Sequence, residues 1–514
     1  MEKLKEAKPV SAWRRRVIGV TRRQLAVELG RTAKLALPTV LAELGQVAMM
    51  ITDLAFIGRI SAEAVGAVAL ASKIYFVGLA LGMGLMSAVA PLVAQAVGSD
   101  NPAAARSILR MGLWAALLLS PAMVAFMLGS EQILVALGQD REAARLAEQY
   151  LSGLAWGVLP ALWFRAIRNF MVAVKRPEPT LWITLVAIPF NALLVYLLMY
   201  GDFGLPRLEL LGVGVATTLV NCAMSLAALW FAIRRQPFRD YQIFAHPWHF
   251  DWPLMRQLIV VGGPNAMAFL MEYGLYSAAA LLMGLIGTTA LAAYQIASQI
   301  AIVLFKVPMG IAMAATVCVG HATGRKDASG ARRAGLVAML LGIIVTAVFT
   351  IAVIASRFRI VSLFLRETAE NADATTDLAA TLLLVSVVFF ITETVETIAA
   401  GSLRGLKDTR VPLLCAGVSY WLIGFSMSYV LGLKIGLGAI GVWIGLSLGT
   451  TAYATLLVLR FQILVRRFAL QSLHSTTTSI DSALERRAKT SKLGDTLSEA
   501  QSGSTNHQLT RGAG

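Results

Sequence analysis

The sequence predicts an all-α polytopic membrane protein, with twelve transmembrane helices in two pseudo-symmetric six-helix lobes. Three observations predict it. First, 57% of the 514 residues are hydrophobic and only 14% are charged, where a soluble domain carries about 25% charge. Second, apolar runs such as Leu35–Ile57, Ile183–Tyr200, Leu336–Ile354 and Ala439–Leu459 approach or exceed the ~20 residues a helix needs to cross hydrocarbon. Lipid offers no partner to open backbone groups, so the spans are helices. Third, the chain repeats itself. A shift of 226 residues, without a gap, lays Pro38 on Pro264, Gly58 on Gly284, Met83-Gly84 on Met309-Gly310 and Arg106 on Arg332. A duplicated apolar half is the mark of a two-lobed transporter with its site between the lobes.

The elements follow in order. Residues 1–33 are a basic segment, with Lys3, Lys5, Lys8, Arg14, Arg15, Arg16, Arg22, Arg23 and Arg31. The N-lobe, 34–234, is expected to hold helices at about 34–58, 65–92, 108–129, 147–171, 180–200 and 211–234. A linker over 235–254 sets Pro237, Pro247 and Pro253 among Phe238, Tyr241, Phe244, Trp248, Phe250 and Trp252, a composition suited to lying along the interface. The C-lobe, 255–465, is expected to hold helices at about 255–284, 290–319, 333–355, 377–402, 411–432 and 438–464. Residues 466–514 are polar and Ser/Thr-rich, as a disordered cytoplasmic tail is. Pro38 and Pro264, inside spans, are repeat-equivalent. Alternate loops carry the positive charge: Arg106/Arg110, Lys175/Arg176, Arg234/Arg235/Arg239, Arg325/Lys326/Arg332/Arg333 and Arg404/Lys407/Arg410. The positive-inside rule and an even helix count put both termini in the cytoplasm.

Several function classes drop out. The net charge of +16 lies in the N-terminal segment and the loops, so its partner is anionic membrane lipid rather than nucleic acid. Cys222, Cys318 and Cys415 sit singly in apolar runs and read as small core residues. The first apolar run is too long for a signal peptide and carries Asp53. Gly436-Leu-Gly438-Ala-Ile-Gly441 matches G-x-G-x-x-G but follows no soluble strand, so it reads as close packing. With no Walker, zinc or nucleophile-elbow motif, neither an enzyme, a cofactor nor an ATPase subunit is expected.

The informative residues are charges inside spans. A carboxylate at a helix centre costs about 2.5–3.5 kcal/mol on insertion scales, so it tends to face a cavity. Glu43, Gln46, Met50 and Asp53 share one stripe of the first helix. Glu272 lies mid-span on the seventh, with Phe269 and Tyr276 on the same face. Phe389, Glu393 and Glu396 share a face of the tenth. Acids beside aromatics suit a cation, through Coulomb attraction and the ring quadrupole. They also suit a proton, because desolvation disfavours the charged carboxylate. The plainer reading is hydrogen-bonded interhelical glue. Asn191, after Pro189, fits a cavity wall or an interhelical hydrogen bond. Met49, Met50, Met267, Met271, Met283 and Met313 could line an adaptable surface or simply pack.

Here the chain resembles the multidrug and toxic compound extrusion (MATE) family, in its bacterial NorM-like branch, over roughly residues 30–465. The resemblance is carried by Pro38 with Gln46, Asp53-x(4)-Gly58, Pro264 with Glu272, Ala292-Ala293-Tyr294-Gln295-Ile296-Ala297 and Pro308-Met309-Gly310-Ile311. It continues in Ala399-Ala400-Gly401-Ser402-Leu403-Arg404-Gly405-x-Lys407-Asp408, Tyr420-Trp421 and Gly441-Val-Trp443-Ile-Gly445. It implies a V-shaped central cavity, rocker-type alternating access and a bacterial inner-membrane location. It also implies export of small organic cations against entering H+ or Na+. Asp53 matches the family's N-lobe acid, and Glu272 and Glu393 its C-lobe cation-binding acids. This chain departs from the family pattern at Glu393 (usually Asp), Phe389 (usually Tyr), Tyr294 (usually His) and Gln299 (usually Asn), and Val195 replaces a second Asn. These departures remove oxygens a Na+ site at Glu272 and Glu393 would need, so H+ is the preferred coupling ion.

The chain is therefore expected to be a monomeric drug/cation antiporter. A lipid-linked saccharide flippase of the same superfamily would need a basic cavity, and an uncoupled receptor or channel would not need cavity acids. Lys306, where the family pattern is apolar, and Glu396, where it usually has Gln, are estimated to lie at similar depths. They are expected to pair and leave Glu393 free; alternatively Lys306 pairs with Glu393, or snorkels.

Overall fold

The structure, a computed structural model, describes residues 22–201, 204, 206–243, 248–362 and 372–471. The N-terminal basic residues before Arg22, Phe244 and Pro247 of the linker, and the polar tail after Gln471 lie outside the described residues. The described residues up to Phe461 make one compact unit, and the second begins at Gln462; the described part of the second is helical, to Gln471.

Helices follow one another with short turns: α1 (Arg22–Ile57), α2 (Ala62–Ser87), α3 (Val89–Gly98), α4 (Pro102–Leu128), α5 (Ser130–Ala136), α6 (Arg141–Ala155), α7 (Val158–Ala173), α8 (Glu178–Tyr200) and α9 (Glu209–Arg234). After the linker come α10 (Trp252–Ile286), α11 (Thr288–Gly324), α12 (Ala328–Ala355), α13 (Arg357–Ser362) and α14 (Ala372–Gly405). The last two are α15 (Arg410–Lys434) and α16 (Gly438–Gln471). Among the described residues, 11 helices are long and apolar enough to cross a membrane. The expected fourth span, 147–171, is the exception. It is broken at Trp156–Gly157 into α6 and α7, of 15 and 16 residues. Two features meet at the break: Pro160 has no N–H to bond the Trp156 carbonyl, and a Cβ on Gly157 would meet Thr218 Oγ1 of α9 at 2.7 Å.

Side-chain caps start several helices. Asn101 Oδ1 accepts from Ala104 N at 2.9 Å, and Asp327 Oδ1 from Gly330 N at 2.8 Å. These caps are repeat-equivalent, and the turns before them match. Asp100 (φ 56°) and Lys326 (φ 59°) are both left-handed. The following amides, Asn101 N and Asp327 N, both bond five residues back at 2.9 Å, to Ala96 O and Ala322 O.

The repeat also appears in packing between the two halves of the sequence. A Cβ added to Gly84 would fall 2.3 Å from Ala266 Cα, and one added to Gly310 would fall 2.7 Å from Val40 Cα. Gly98 meets His321 O at 2.5 Å, and Gly324 meets Gln95 O at 2.3 Å. Each pair maps onto the other by the 226-residue shift. Contacts of i with j′ and j with i′ are the pattern of an interface with two-fold character. Two hydrogen bonds also cross between the halves from repeat-equivalent side chains: Gln95 Nε2 donates to Gly405 O at 2.8 Å, and His321 Nε2 lies 2.7 Å from Ala173 O, although the two acceptors do not map onto each other by that shift. A carbonyl only accepts, so His321 carries its proton on Nε2.

α15 is not a regular α-helix. Gly417–Phe425 and Val430–Lys434 are wound as π-helix, a winding often found at functional sites. The glycine motif after it closes a turn: Gly436 and Gly438 have positive φ, 83° and 61°, and a Cβ on Gly441 would meet Leu431 O at 2.5 Å. The expected close packing therefore accounts for Gly441 alone; Gly436 and Gly438, with nothing within 4 Å of an added Cβ, are there for their left-handed backbone. In the linker, Phe238 is buried, and Tyr241 meets the Phe170 ring of α7 edge-on at 5.3 Å. Trp248 and Trp252 are exposed.

Candidate functional site

The intramembrane charges fall into three groups. The first is acidic and belongs to α10 and α14. Glu272, Glu393 and Glu396 lie within electrostatic reach of one another. Glu393 and Glu396 are buried, while Glu272 is half-buried. Tyrosines supply donors. Tyr276 Oη donates to Glu393 Oε1 at 3.2 Å, and Tyr420 Oη to Glu396 Oε1 at 2.8 Å. Tyr276 shares the α10 stripe with Glu272, whereas Tyr420 is delivered from the π-wound part of α15. Tyr294 donates to the Tyr276 backbone oxygen at 2.9 Å, which fixes α11 against α10.

Aromatics close the group. Phe389 meets Tyr276 edge-on at 6.2 Å and Trp443 at 5.8 Å, and Tyr294 meets Trp443 at 5.5 Å. Beside it opens a cleft lined by Phe269, Glu272, Phe305, Glu396, Thr397, Arg404, Tyr420 and Tyr453, among others. Arg404, on the same helix as Glu393, lies within electrostatic reach of Glu272 and approaches Asn265 Oδ1 at 3.5 Å. Carboxylates, ring faces and phenol oxygens around one cleft can hold a cation, bound by charge and by π-electron density.

The second group holds Asp53, which is buried. Asn191 Nδ2 donates to Asp53 Oδ1 at 2.6 Å, and Thr217 Oγ1 lies 3.3 Å from Asp53 Oδ2. Thr217 has one proton, and it also lies 3.0 Å from Val213 O. A carbonyl can only accept, so when Thr217 donates there, its oxygen is free to accept from a protonated Asp53. The site can hold a proton in a satisfied network.

The third group was not expected. Glu43 is ion-paired with Arg168 of α7, both fully buried. Arg165 and Lys306 also act on Glu43 electrostatically. Thus the two acids of the α1 stripe part company, Asp53 to α8 and α9 and Glu43 to α7. Lys306 is not paired with Glu396 or Glu393: the carboxylate near it is Glu43, while Glu396 takes its hydrogen bond from Tyr420. Equal depth along two helices says nothing about which faces meet, and α11 turns Lys306 toward the first half.

Of the other expected residues, Gln46 is half-buried and Gln299 is exposed; neither bonds to an acid among the described residues. Thr217, Tyr453, Arg165 and Arg168 escaped sequence reading, and Tyr420 entered it only as part of the Tyr420-Trp421 motif, without a role. The two arginines carried a signal, since they are charges within an expected span; Thr217 and Tyr453 carried none. Among the described residues, no three His, Cys, Asp or Glu side chains converge to hold a metal ion.

Comparison with known proteins agrees with this architecture. The family model MatE matches residues 38–197 and 264–430, two segments that begin at the repeat-equivalent prolines. The chain is 55% identical to a probable multidrug resistance protein NorM of Bradyrhizobium diazoefficiens, over 87% of this chain and 96% of that one. It is 37% identical to the multidrug resistance protein NorM of Burkholderia vietnamiensis, over 84% and 93%. In fold it is similar to the crystal structure of the eukaryotic MATE transporter AtDTX14, with a TM-score of 0.77 at 18% identity, covering 87% of this chain and 99% of that one. The crystal structure of MATE in complex with MaL6 gives 0.78 at 18% identity, over 86% and 97%. A matched model over both halves and close bacterial relatives along nearly the whole length decide the assignment: the chain belongs to the multidrug and toxic compound extrusion family, in its bacterial NorM-like branch.

Proposed function

We propose that this protein is a secondary active multidrug exporter, which moves small organic cations out across the bacterial inner membrane in exchange for an entering ion. It is a transporter and not an enzyme. The observation that carries the reading is a group of three acids in membrane-spanning helices: Glu272 and Glu396 line one cleft with Tyr420, and Glu393, bonded by Tyr276, lies within electrostatic reach of both. Acids that bind both the cationic substrate and the incoming ion force the two to compete, and competition couples them. One charge moving down 100 mV supplies about 2.3 kcal/mol, enough for a gradient of roughly fiftyfold at 1.4 kcal/mol per tenfold.

H+ is the preferred ion, with Na+ the alternative. The Asp53–Thr217–Val213 chain supports the proton, because it offers partners for a protonated carboxyl. We read Asp53, Glu272 and Glu393 as the coupling acids, with Gln46, Asn191, Tyr276, Tyr294, Gln299, Phe389 and Glu396 around the cavity. We also read the chain as twelve spans in two six-helix lobes, 34–234 and 255–465. In this reading the broken pair α6–α7 is the fourth span, both termini are cytoplasmic and the protein acts as a monomer. The reciprocal glycine contacts at the 226-residue shift support the two lobes.

The flippase reading gains one observation: Arg165, Arg168 and Lys306 are the basic groups that a phosphate would need. Dye efflux from vesicles under an imposed pH or Na+ gradient separates the readings. Efflux driven by either gradient supports the antiporter; efflux indifferent to both sinks it.

A further inference from the structure

We propose that the coupling proton leaves for the cytoplasm through the interior of the second half, along α14, and that Arg404 stops this route while Ser87 of the first half holds it in place through Asn265. This rests on the exporter reading for the acids and adds where their proton goes.

Two clefts join inside the second half. The acidic one reaches Glu272 and Glu396. The other reaches Asp408, Thr409 and Pro412, at the turn from α14 into α15. Asn265, Ala268, Ala400, Arg404 and Tyr453 line both, so the two make one passage. Every lining residue belongs to the second half, and the passage does not depend on the cavity between the halves. Glu396, Ala400 and Arg404 are spaced by four on one face of α14. Arg404 stands eight residues beyond Glu396, about 12 Å at 1.5 Å per residue. In the twelve-span reading α14 runs inward, so the passage starts at the acids and ends at the cytoplasmic turn.

Arg404 stands where the clefts meet. A fixed guanidinium there repels any cation in the passage, and poor screening strengthens the repulsion; arginines exclude cations from pores in this way. Its anchor is determined by hydrogen-bond chemistry. Ser87 Oγ lies 2.6 Å from Gly84 O. A carbonyl only accepts, so the Ser87 proton is spent there and its oxygen can only accept from elsewhere. The Asn265 atom 2.7 Å away is therefore the amide nitrogen, Nδ2, which turns Asn265 Oδ1 toward Arg404 Nη1, 3.5 Å off. Arg404 Nε has no partner among the described residues.

The first half grips the passage at a second point. Gln95 Nε2 donates to the oxygen of Gly405, the residue after Arg404, at 2.8 Å. At the mouth, Arg460 Nε donates to Asp408 Oδ2 at 2.7 Å. Parting the halves breaks the Ser87 and Gln95 bonds together and frees Arg404 to move. A proton then leaves a carboxyl of Glu272 or Glu396: the O–H bond breaks, the carboxylate keeps the electron pair, and cytoplasmic water beyond Asp408 takes the proton. While the halves are joined, Arg404 keeps the same acids closed to that side. The ion therefore cannot run through without the conformational change.

The test uses purified full-length protein in proteoliposomes without drug, with pyranine inside to report proton entry under an imposed pH gradient. Ser87→Ala and Arg404→Met should each raise proton flux at least fivefold over the parent. Ser87→Thr and Arg404→Lys, which keep the hydroxyl and the charge, should match the parent. Adding Glu272→Gln and Glu396→Gln to Ser87→Ala should return the flux to the parent level, since the route passes through the acids. Passive entry of ethidium should stay at the parent level throughout, because the passage does not lie between the halves. Should Arg404→Met fail to give a monodisperse protein, the Ser87 variants decide. Parent-like flux in Ser87→Ala, flux that survives loss of the acids, or ethidium entering along with protons each overturns the route. If the variants leak as expected but the parent exports no ethidium under an imposed gradient, the exporter reading falls and the route stands.

Discussion

Glu43 of α1 and Arg168 of α7 form a fully buried ion pair, in which Glu43 Oε2 and Arg168 Nε and Nη1 have no further partner. Glu43 is thereby held in the wall of the first half, apart from Asp53, which binds Asn191 and Thr217 ten residues along the same helix.

Removing one member of such a pair strands the other, at about 3–5 kcal/mol, while removing both can be nearly neutral. Glu43→Gln and Arg168→Met should each lower the melting temperature in detergent markedly. The double variant should recover most of the loss. A double variant as unstable as the worse single one would show that the pair does not act as a unit.

The reciprocal close approaches predict matched steric effects. Gly84→Ala and Gly310→Ala force a Cβ into Ala266 and Val40 respectively, and overpacking of this kind costs about 1–3 kcal/mol. Both should reduce thermal stability by similar amounts. Gly30→Ala, with nothing within 4 Å, should be neutral or stabilising, since alanine favours a helix over glycine by up to about 1 kcal/mol. Loss at one of Gly84 and Gly310 but not the other would contradict the pseudo-symmetric interface.

Gln95 and His321 each reach a backbone carbonyl of the opposite half. Removing either side chain as Gln95→Ala or His321→Ala should cost about 0.5–1.5 kcal/mol, the net worth of one hydrogen bond. Hydrogen exchange should then rise at the ends of α7 and α14, which supply the carbonyls. Unchanged exchange in both variants would remove these bonds from the account.

Lys306 and Glu396 should behave as strangers. They share no contact, since Lys306 faces Glu43 and Glu396 is bonded to Tyr420. The stability effects of Lys306→Met and Glu396→Gln should add within about 0.3–0.5 kcal/mol, as distant sites do. A coupling above 1 kcal/mol in that cycle would restore the direct pair.

The sequence made the repeat legible because its register has no gap, and the same shift reappears in caps, turns and glycine contacts. Hydropathy located the spans but not their ends. α1 begins at Arg22 rather than 34, because backbone hydrogen bonding continues past the apolar run. The break at Gly157 had a local signal in Pro160, which cannot donate to the Trp156 carbonyl, whereas the close approach of α9 to Gly157 had none. At the site, helical spacing put Phe389, Glu393 and Glu396 on one face. It did not show that Glu43 turns to Arg168, since a stripe gives a direction and not the neighbouring helix. Arg165 and Arg168 were readable as intramembrane charges by the rule that singled out the acids.

The central claim is that the α10 and α14 acids couple export to an entering ion. It is tested most directly in proteoliposomes, by dye efflux under an imposed pH or Na+ gradient with the parent, Glu272→Gln and Glu393→Gln proteins. The account predicts gradient-driven efflux in the parent and its loss, at least tenfold, in both variants at equal incorporation and normal melting temperature. Normal efflux in both variants would contradict it.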